Sequence, residues 1–139
     1  MPRTMTTSTR LVDAGFETKE LALTLVHVTT TAGTIYKFTP GRPGTIVGLD
    51  WVTGAQVGTG ASATITFNPS INGTNVTAGS LVVALADTTP IGNKKAGATP
   101  TGAVNFDDND EIGIATSAVT AFTAGNGFLV LKLDYGVIL

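Results

Sequence analysis

Residues 59–86 constrain the fold most strongly, because side-chain character alternates along them with a period of two. In the first arm, residues 62–67, apolar residues alternate with hydroxyl residues, which is typical of a strand with one buried and one polar face. In the second arm, residues 81–86, both alternating sets are apolar, so we expect both faces to contact protein. Residues 68–76, with a proline and an Asn-Gly pair, predict a shaped connection between the two strands.

The same period recurs along the chain, and no 3.6-residue pattern lasts long enough to indicate a substantial helix. The further strands that it predicts are residues 19–28, 34–38, 45–53, 112–117 and 127–139. Turn residues separate the strands at intervals of roughly 8 to 16 residues. We therefore predict an all-β fold, a single jelly roll or β-sandwich of about eight antiparallel strands.

Residues 1–18 lack this pattern: they are polar and rich in threonine, with Arg3 and Arg10 as their basic groups. Such a segment usually frays unless it docks on a neighbouring surface. We therefore divide the chain into a flexible N-terminal arm, residues 1–18, and one β-sandwich domain, residues 19–139.

Charged side chains are scarce, at 13% of the chain against 42% for apolar types, where about a quarter charged is usual. Threonine, serine, asparagine and glycine cover part of the surface, and exposed apolar patches usually mark interfaces. We expect a homo-oligomer in preference to a monomer solvated by hydroxyl groups. The net charge of −2 gives no signature of polyanion binding, so we expect no direct nucleic-acid partner.

The chain contains no cysteine, which excludes disulfides, thiolate metal sites and cysteine nucleophiles and favours assembly inside a cell. Its first ten residues contain no apolar signal region, and no apolar run has the length needed to cross a bilayer. We expect a protein that is neither exported by such a signal nor inserted in a membrane.

His27 and Trp51 are the only residues of their types. A lone histidine at a strand end lacks the orienting partner and nucleophile that catalysis needs, which favours a packed or interface residue. Trp51 shares its expected strand face with Val47 and Leu49, which favours a core anchor over a sugar-stacking platform.

Residues 87–102 read as a long Gly, Pro and Thr loop that carries Lys94 and Lys95. Loops of this length in a compact domain tend to be functional or mobile. Two interpretations stay open for the lysines: a solvated loop tip, or contact with a carboxylate-bearing surface.

Acidic residues are concentrated between Phe106 and Ile112. Asp107, Asp108 and Asp110 are weak candidates for a Ca²⁺ site, but their spacing is not that of an EF-hand loop. Aspartate and asparagine favour turns, so we prefer a turn that leads into a strand. Carboxylates at one bend also do not suit glycoside hydrolysis, which needs two that face each other across a cleft.

Three phrases occur in order along roughly residues 45–135: TGAS before an Ile-Thr-Phe strand at 59–67, SINGTNVT at 70–77, and Phe106 with its acidic turn into EIGI, then AFTAGNG at 121–127. Together they resemble small structural proteins of tailed bacteriophages, in particular jelly-roll head decoration (cementing) proteins. The resemblance implies a trimer on the outside of the capsid, bridging neighbouring major capsid proteins against internal DNA pressure, with no catalytic residues. It also implies a virion location after assembly in the host cytoplasm.

For a decoration protein, the candidate capsid-docking residues are basic groups on the arm and on the 87–102 segment. They are Arg3, Arg10, Lys94 and Lys95.

Two other functional classes stay open. A receptor- or carbohydrate-binding module of a phage tail or fibre would use Tyr36, Trp51 or Tyr135 to stack on sugar, and buried rings would count against it. An enzyme is the weakest class, since one histidine, no cysteine and acids at a single bend leave no catalytic constellation. We expect no enzymatic activity and no cofactor.

Overall fold

The computed structural model describes residues 18–27, 32–55, 63–120 and 126–135, with the backbone alone for residues 18–27. Apart from Thr18, which opens the first strand, the expected N-terminal arm lies outside the described residues. The strands are β1 (Thr18–His27), β2 (Gly33–Phe38), β3 (Gly44–Ala55), β4 (Thr64–Ile71), β5 (Thr74–Asn75), β6 (Leu81–Ala84), β7 (Lys94–Ala96), β8 (Asn105–Phe106), β9 (Ile112–Thr120) and β10 (Asn126–Tyr135).

The strands form two antiparallel sheets. Sheet A has the order β1-β10-β3-β7, with β8 also paired to β3, and sheet B has the order β2-β9-β4, with β5 and β6 both paired to β4. The first strand lies beside the last, β1 to β4 alternate between the sheets, and β9 and β10 return beside β4 and β3, which is the order of a jelly roll. The described residues contain one 3₁₀ turn, Leu85–Thr88, and no α-helix, so the predicted all-β sandwich is confirmed.

Alternating residues of both sheets form the core between them. Ile65 and Phe67 of β4 and the leucines of β10, Leu129 and Leu131, are fully buried, as their period of two requires. Trp51 of β3 is 0% exposed and stacks on Phe67 of the opposite sheet with ring centroids 5.6 Å apart. The prediction of a core anchor at Trp51 is confirmed.

The expected alternation fails at the start of β3. The sequence places Val47 with Leu49 and Trp51, but Ile46 is the buried residue there and Val47 is only half-buried. Gly48 pairs with Lys132 while Ile46 pairs with Leu133, so β3 carries one extra residue at this point. A bulge of this kind reverses which residues face the core.

The connection expected at residues 68–76 is shorter than predicted, because β4 continues through Pro69 to Ile71. The carbonyl of Pro69 accepts a hydrogen bond from Val76 N–H, so its nitrogen faces the gap between β5 and β6, where no ladder partner is lost. The chain then reverses at Asn72 and Gly73, whose φ angles are 50° and 84°.

The prediction of a long loop at residues 87–102 is wrong in part. The strand before it ends at Ala84 and a 3₁₀ turn spans Leu85–Thr88. The segment then returns as β7, Lys94–Ala96, which pairs with Asp50 to Val52 of β3. The sequence did not predict β7 as a strand, because its three residues are too few to show a period of two.

Candidate interaction surfaces

The outer face of sheet A, the side turned away from the core, carries apolar residues. Along β10 the leucines point inward, so Phe128 and Val130 point outward, and Phe128 is 43% exposed. Val52 of β3 pairs with Phe128 and is half-buried. We call Phe128, Val130 and Val52 the apolar patch.

Asp50 lies beside the apolar patch, opposite Val130, and is 1% exposed. Its Oδ2 lies 3.1 Å from Lys94 Nζ and 3.3 Å from Lys132 Nζ, and its Oδ1 accepts a hydrogen bond from Gly97 N–H at 3.3 Å. Lys94 of β7 and Lys132 of β10 thus pair with the Asp50 carboxylate. The alternating pattern of β3 had predicted no partner for Asp50. This cluster carries a net positive charge on the outer face of sheet A.

The surroundings of Asp50 set its protonation. Burial alone raises the pKa of Asp50, but the ammonium groups of Lys94 and Lys132 and the Gly97 N–H outweigh it and lower the pKa below its usual 3.8. A carboxylate with a lowered pKa in the folded state stabilises the protein above its ordinary pKa, and this stabilisation is lost as the pH falls through the folded-state value.

We expect Asp50→Asn to lower the free energy of unfolding at pH 7 by about 2 kcal/mol, because two ammonium groups lose their buried counterion. Urea unfolding should show this difference shrinking as the pH falls from 3.8 through the folded-state pKa, below which wild-type Asp50 is also neutral. Asp108→Asn, in an exposed turn, is the matched control and should change little. An Asp50→Asn difference that stays constant with pH contradicts this assignment.

The outer face of sheet B is polar. Thr64 and Thr66 of β4 are half-buried and alternate with the buried Ile65 and Phe67, whereas Asn68 is buried at 9% exposure. Ser80 donates a hydrogen bond from Oγ to Asn68 Oδ1 at 2.6 Å, and Asn68 Nδ2 donates to Ser117 Oγ at 2.9 Å. Val82, which is 50% exposed, is the one large exposed apolar residue on the described strands of this face, so the expectation that both faces of β6 contact protein is not met within one chain.

The docking candidates fall into two groups. Lys94 and Lys95 lie on β7, not on a loop tip, and each meets a carboxylate of its own chain: Lys94 pairs with Asp50, and Lys95 Nζ lies 3.2 Å from Asp87 Oδ1. Arg3 and Arg10 lie outside the described residues.

The acidic segment forms the predicted turn before β9. Asp110 Oδ2 accepts a hydrogen bond from Asp107 N–H, and Asp110 Oδ1 accepts one from Asn72 Nδ2, both at 2.8 Å. These bonds hold the pKa of Asp110 below its ordinary value. Within the described ranges no group of three or more His, Cys, Asp or Glu side chains is placed to hold a metal ion, so Asp107, Asp108 and Asp110 are not brought together as a metal site.

A cleft of about 440 Å³ opens at the end of sheet A next to this turn. Its floor is apolar, with Phe106 edge-on to the Tyr135 ring at 6.3 Å, and Arg42 lies 4.5 Å above the Tyr135 ring. The residues that line the cleft are Pro43, Gly44, Thr45, Asn105, Phe106, Asp107, Asp134 and Tyr135. No sequence signal pointed to it, because three strands and a turn distant in the chain contribute to its walls.

The aromatic residues considered for sugar stacking are largely committed to packing. Trp51 is buried, Tyr36 packs beside Phe38 against the core, and Tyr135 is half-buried under Arg42. For His27 the structure gives only a backbone pairing with Asn126.

No helix among the described residues is long and apolar enough to cross a membrane. Comparisons of the chain with protein-family models, with curated proteins and with solved structures gave no match.

Proposed function

We propose that the protein is a structural virion subunit, a decoration protein that binds the outside of a bacteriophage head as a trimer and stabilises the capsid lattice. The resemblance of its turn and strand phrases to such proteins supports this role. Jelly rolls also occur in viral capsid, lectin and cupin domains, so the fold is compatible with the role without specifying it.

The contrast between the two outer faces carries the proposal. Sheet B carries hydrogen-bonded hydroxyl and amide groups and exposes one large apolar residue, Val82 at 50%, whereas sheet A exposes Phe128 at 43% beside the half-buried Val52 and Val130 of the apolar patch. Burying apolar surface of this kind under a second protein surface stabilises the complex that the two surfaces form. With only 13% of residues charged, we assign the apolar patch to contact between copies of the chain.

Attachment to the capsid would then depend on many weak contacts. Each trimer repeats every contact three times, and each bound contact raises the effective concentration of the others. Lys94 and Lys95 retain exposed side chains although they are ion-paired, so with Arg3 and Arg10 they stay candidates for contact with carboxylates of the major capsid protein.

The test is binding of the purified protein to emptied phage heads, measured by co-sedimentation. We expect saturable binding in multiples of three copies, and about tenfold weaker binding for Lys95→Gln, since three surface contacts of about 0.5 kcal/mol are lost together. Lys37→Gln is the matched control, because Lys37 is also ion-paired, to Glu111 at 3.1 Å, but lies on sheet B. Absence of co-sedimentation with the heads at every protein concentration would contradict the proposal.

The alternative, a receptor- or carbohydrate-binding module of a phage tail or fibre, depends on Tyr135, since Trp51 is buried. Its half-buried ring lies in a cleft with amide and carboxylate groups, which are common partners of sugar hydroxyls. Binding to host surface glycans that Tyr135→Ala abolishes, together with no affinity for heads, would favour this alternative.

A further inference from the structure

A trimer with threefold symmetry needs two different contact surfaces on each chain. Its copies meet head to tail, so away from the axis a surface of one copy contacts a different surface of the next copy, whereas a twofold dimer pairs a surface with itself. The apolar patch therefore requires a complementary surface elsewhere on the chain. That surface should be concave and apolar where Phe128, 43% exposed, stands out from the sheet.

Positive charge borders the apolar patch. Val52 pairs with Phe128 on one side and with Lys94 on the other. The ammonium groups of Lys94 and Lys132 both lie within 3.3 Å of the same oxygen of Asp50, and one carboxylate neutralises only one of them. The Lys94 side chain is 53% exposed, and an ammonium group has three N–H donors, so Lys94 can bond a second carboxylate. A surface that covers the patch without a carboxylate would bury unbalanced charge.

The cleft at the end of sheet A has the concave shape and the apolar floor that Phe128 requires. Phe106 and Tyr135 form this floor, with their rings edge to face at 6.3 Å. The volume of the cleft is about 440 Å³. A cavity of about 150 Å³ holds benzene, so the cleft has room for the Phe128 ring. A further aromatic ring on this floor gains more than its buried area alone, because aromatic pairs attract one another edge to face.

Asp107 places a carboxylate at the rim of this cleft. It is exposed, and its carboxylate makes no hydrogen bond or ion pair with the other residues that the structure describes. The turn that carries it is already fixed: Asp107 N–H donates to Asp110 Oδ2 at 2.8 Å, and Asp110 N–H donates to the Asp107 carbonyl at 3.2 Å. A fixed turn loses little conformational freedom on docking. The cleft therefore combines an aromatic floor with a carboxylate, as the apolar patch combines a phenyl ring with a lysine.

Phe128 cannot enter the cleft of its own chain. Its cross-strand partner Val52 lies eight residues along β3 from Gly44, which lines the cleft. At the rise of a strand, eight residues span about 26 Å. A cleft that holds the Phe128 ring must therefore belong to another copy.

We propose that Phe128 of each copy docks in the cleft of the next copy, and that Asp107 at the rim of that cleft pairs with Lys94; this contact rests on the trimer of the proposed function. Each copy supplies one phenyl ring and one cleft, so three copies close a ring through three identical contacts. The contact assigns Lys94 to assembly and leaves Lys95 for the capsid.

Mixing two variants tests this head-to-tail contact. Phe128→Glu removes the phenyl ring and keeps the cleft, whereas Asp107→Lys keeps the ring and places a like charge opposite Lys94. Asp107→Lys should weaken self-association at least about tenfold, so that each variant alone is a monomer where the unchanged chain is a trimer. An equimolar mixture should form dimers with one copy of each variant, because Phe128 of the Asp107→Lys chain meets the unaltered cleft of the Phe128→Glu chain. Sedimentation velocity measures these masses.

Glu111→Lys is the matched control, since it reverses the charge of an exposed carboxylate that pairs with Lys37 of sheet B, and it should remain a trimer. Cross-linking gives a second measurement that alters neither Phe128 nor Asp107. The chain has no cysteine, so Ala96→Cys, opposite Asp50, and Asn105→Cys, at the exposed rim of the cleft, each carry a single thiol. A short bismaleimide should join these two variants about fivefold faster than Ala96→Cys and Thr120→Cys, whose second thiol lies at the opposite end of the sandwich.

The outcomes distinguish this contact from the trimer and from the capsid role. A monomer at every concentration overturns both the trimer and the contact. A trimer that persists in Asp107→Lys, or a mixture of the two variants that stays monomeric, overturns the contact alone. Ala96→Cys chains that cross-link to one another as fast as to Asn105→Cys chains show that the apolar patch pairs with itself, which also overturns the contact. A trimer with the expected cross-link and no affinity for heads supports the contact and contradicts the capsid role.

Discussion

Replacing Trp51 with alanine should lower the free energy of unfolding by about 4 kcal/mol. The indole is 0% exposed and stacks on Phe67 across the core. Its Nε1 donates a hydrogen bond to Thr53 Oγ1 at 2.8 Å, which the variant also loses. The backbone of Gly127 packs directly against the indole ring, so this wall cannot collapse far without moving β10. The alanine variant would therefore keep much of the cavity.

Urea unfolding followed by far-ultraviolet circular dichroism measures this effect, since the variant has no tryptophan fluorescence. Trp51→Phe is the matched control: it keeps an aromatic ring against Phe67 and should lose less than half as much stability. A loss below about 1 kcal/mol for Trp51→Ala means that the ring does not anchor the core.

Replacing Phe128 with glutamate should convert the proposed trimer to monomers, weakening self-association by at least about a hundredfold. Exposed aromatic residues are frequent hot spots of interfaces, and a buried unpaired carboxylate adds a desolvation penalty. Because Phe128 is on the outer face and 43% exposed in one chain, the fold of that chain should be little affected. Sedimentation equilibrium measures the association, and circular dichroism verifies the fold.

The matched control places the same charge on the other sheet. Thr66→Glu alters the outer face of sheet B, where Thr66 is partly exposed between the buried Ile65 and Phe67, and should leave the mass in solution unchanged. If Thr66→Glu dissociates the protein while Phe128→Glu does not, the interface lies on sheet B and the assignment of the apolar patch is wrong.

The period of two predicted most of the strands of the sandwich, because a strand with one buried face has an apolar side chain at every second residue. It failed where local geometry breaks the repeat. The extra residue at Val47 reverses the faces of β3, and Pro69 continues β4 because the lost N–H faces a gap between strands. Neither event leaves a mark in the pattern of side chains, since both depend on how a neighbouring strand is aligned.

The candidate surfaces were less predictable for a related reason: their members are distant in the chain. Asp50 meets Lys132 from β10 and Lys94 from β7, and the cleft joins Tyr135 to Asn105 and Gly44. An aspartate inside an otherwise apolar strand is a sequence signal that such a residue has a partner, but it does not name the partner. The acidic turn was predictable because Asp107 and Asp110 bond to each other locally, whereas the bonds that Asn72 and Gly41 make to this turn were not.

The mass of the purified protein in solution tests most directly whether copies of this sandwich cover one another. We expect a trimer of three times the 14.1 kDa chain at micromolar concentration, dissociated by Phe128→Glu and not by Thr66→Glu. A mass of 14.1 kDa at every concentration up to about 100 μM, well above the dissociation constants typical of specific interfaces, would contradict self-association.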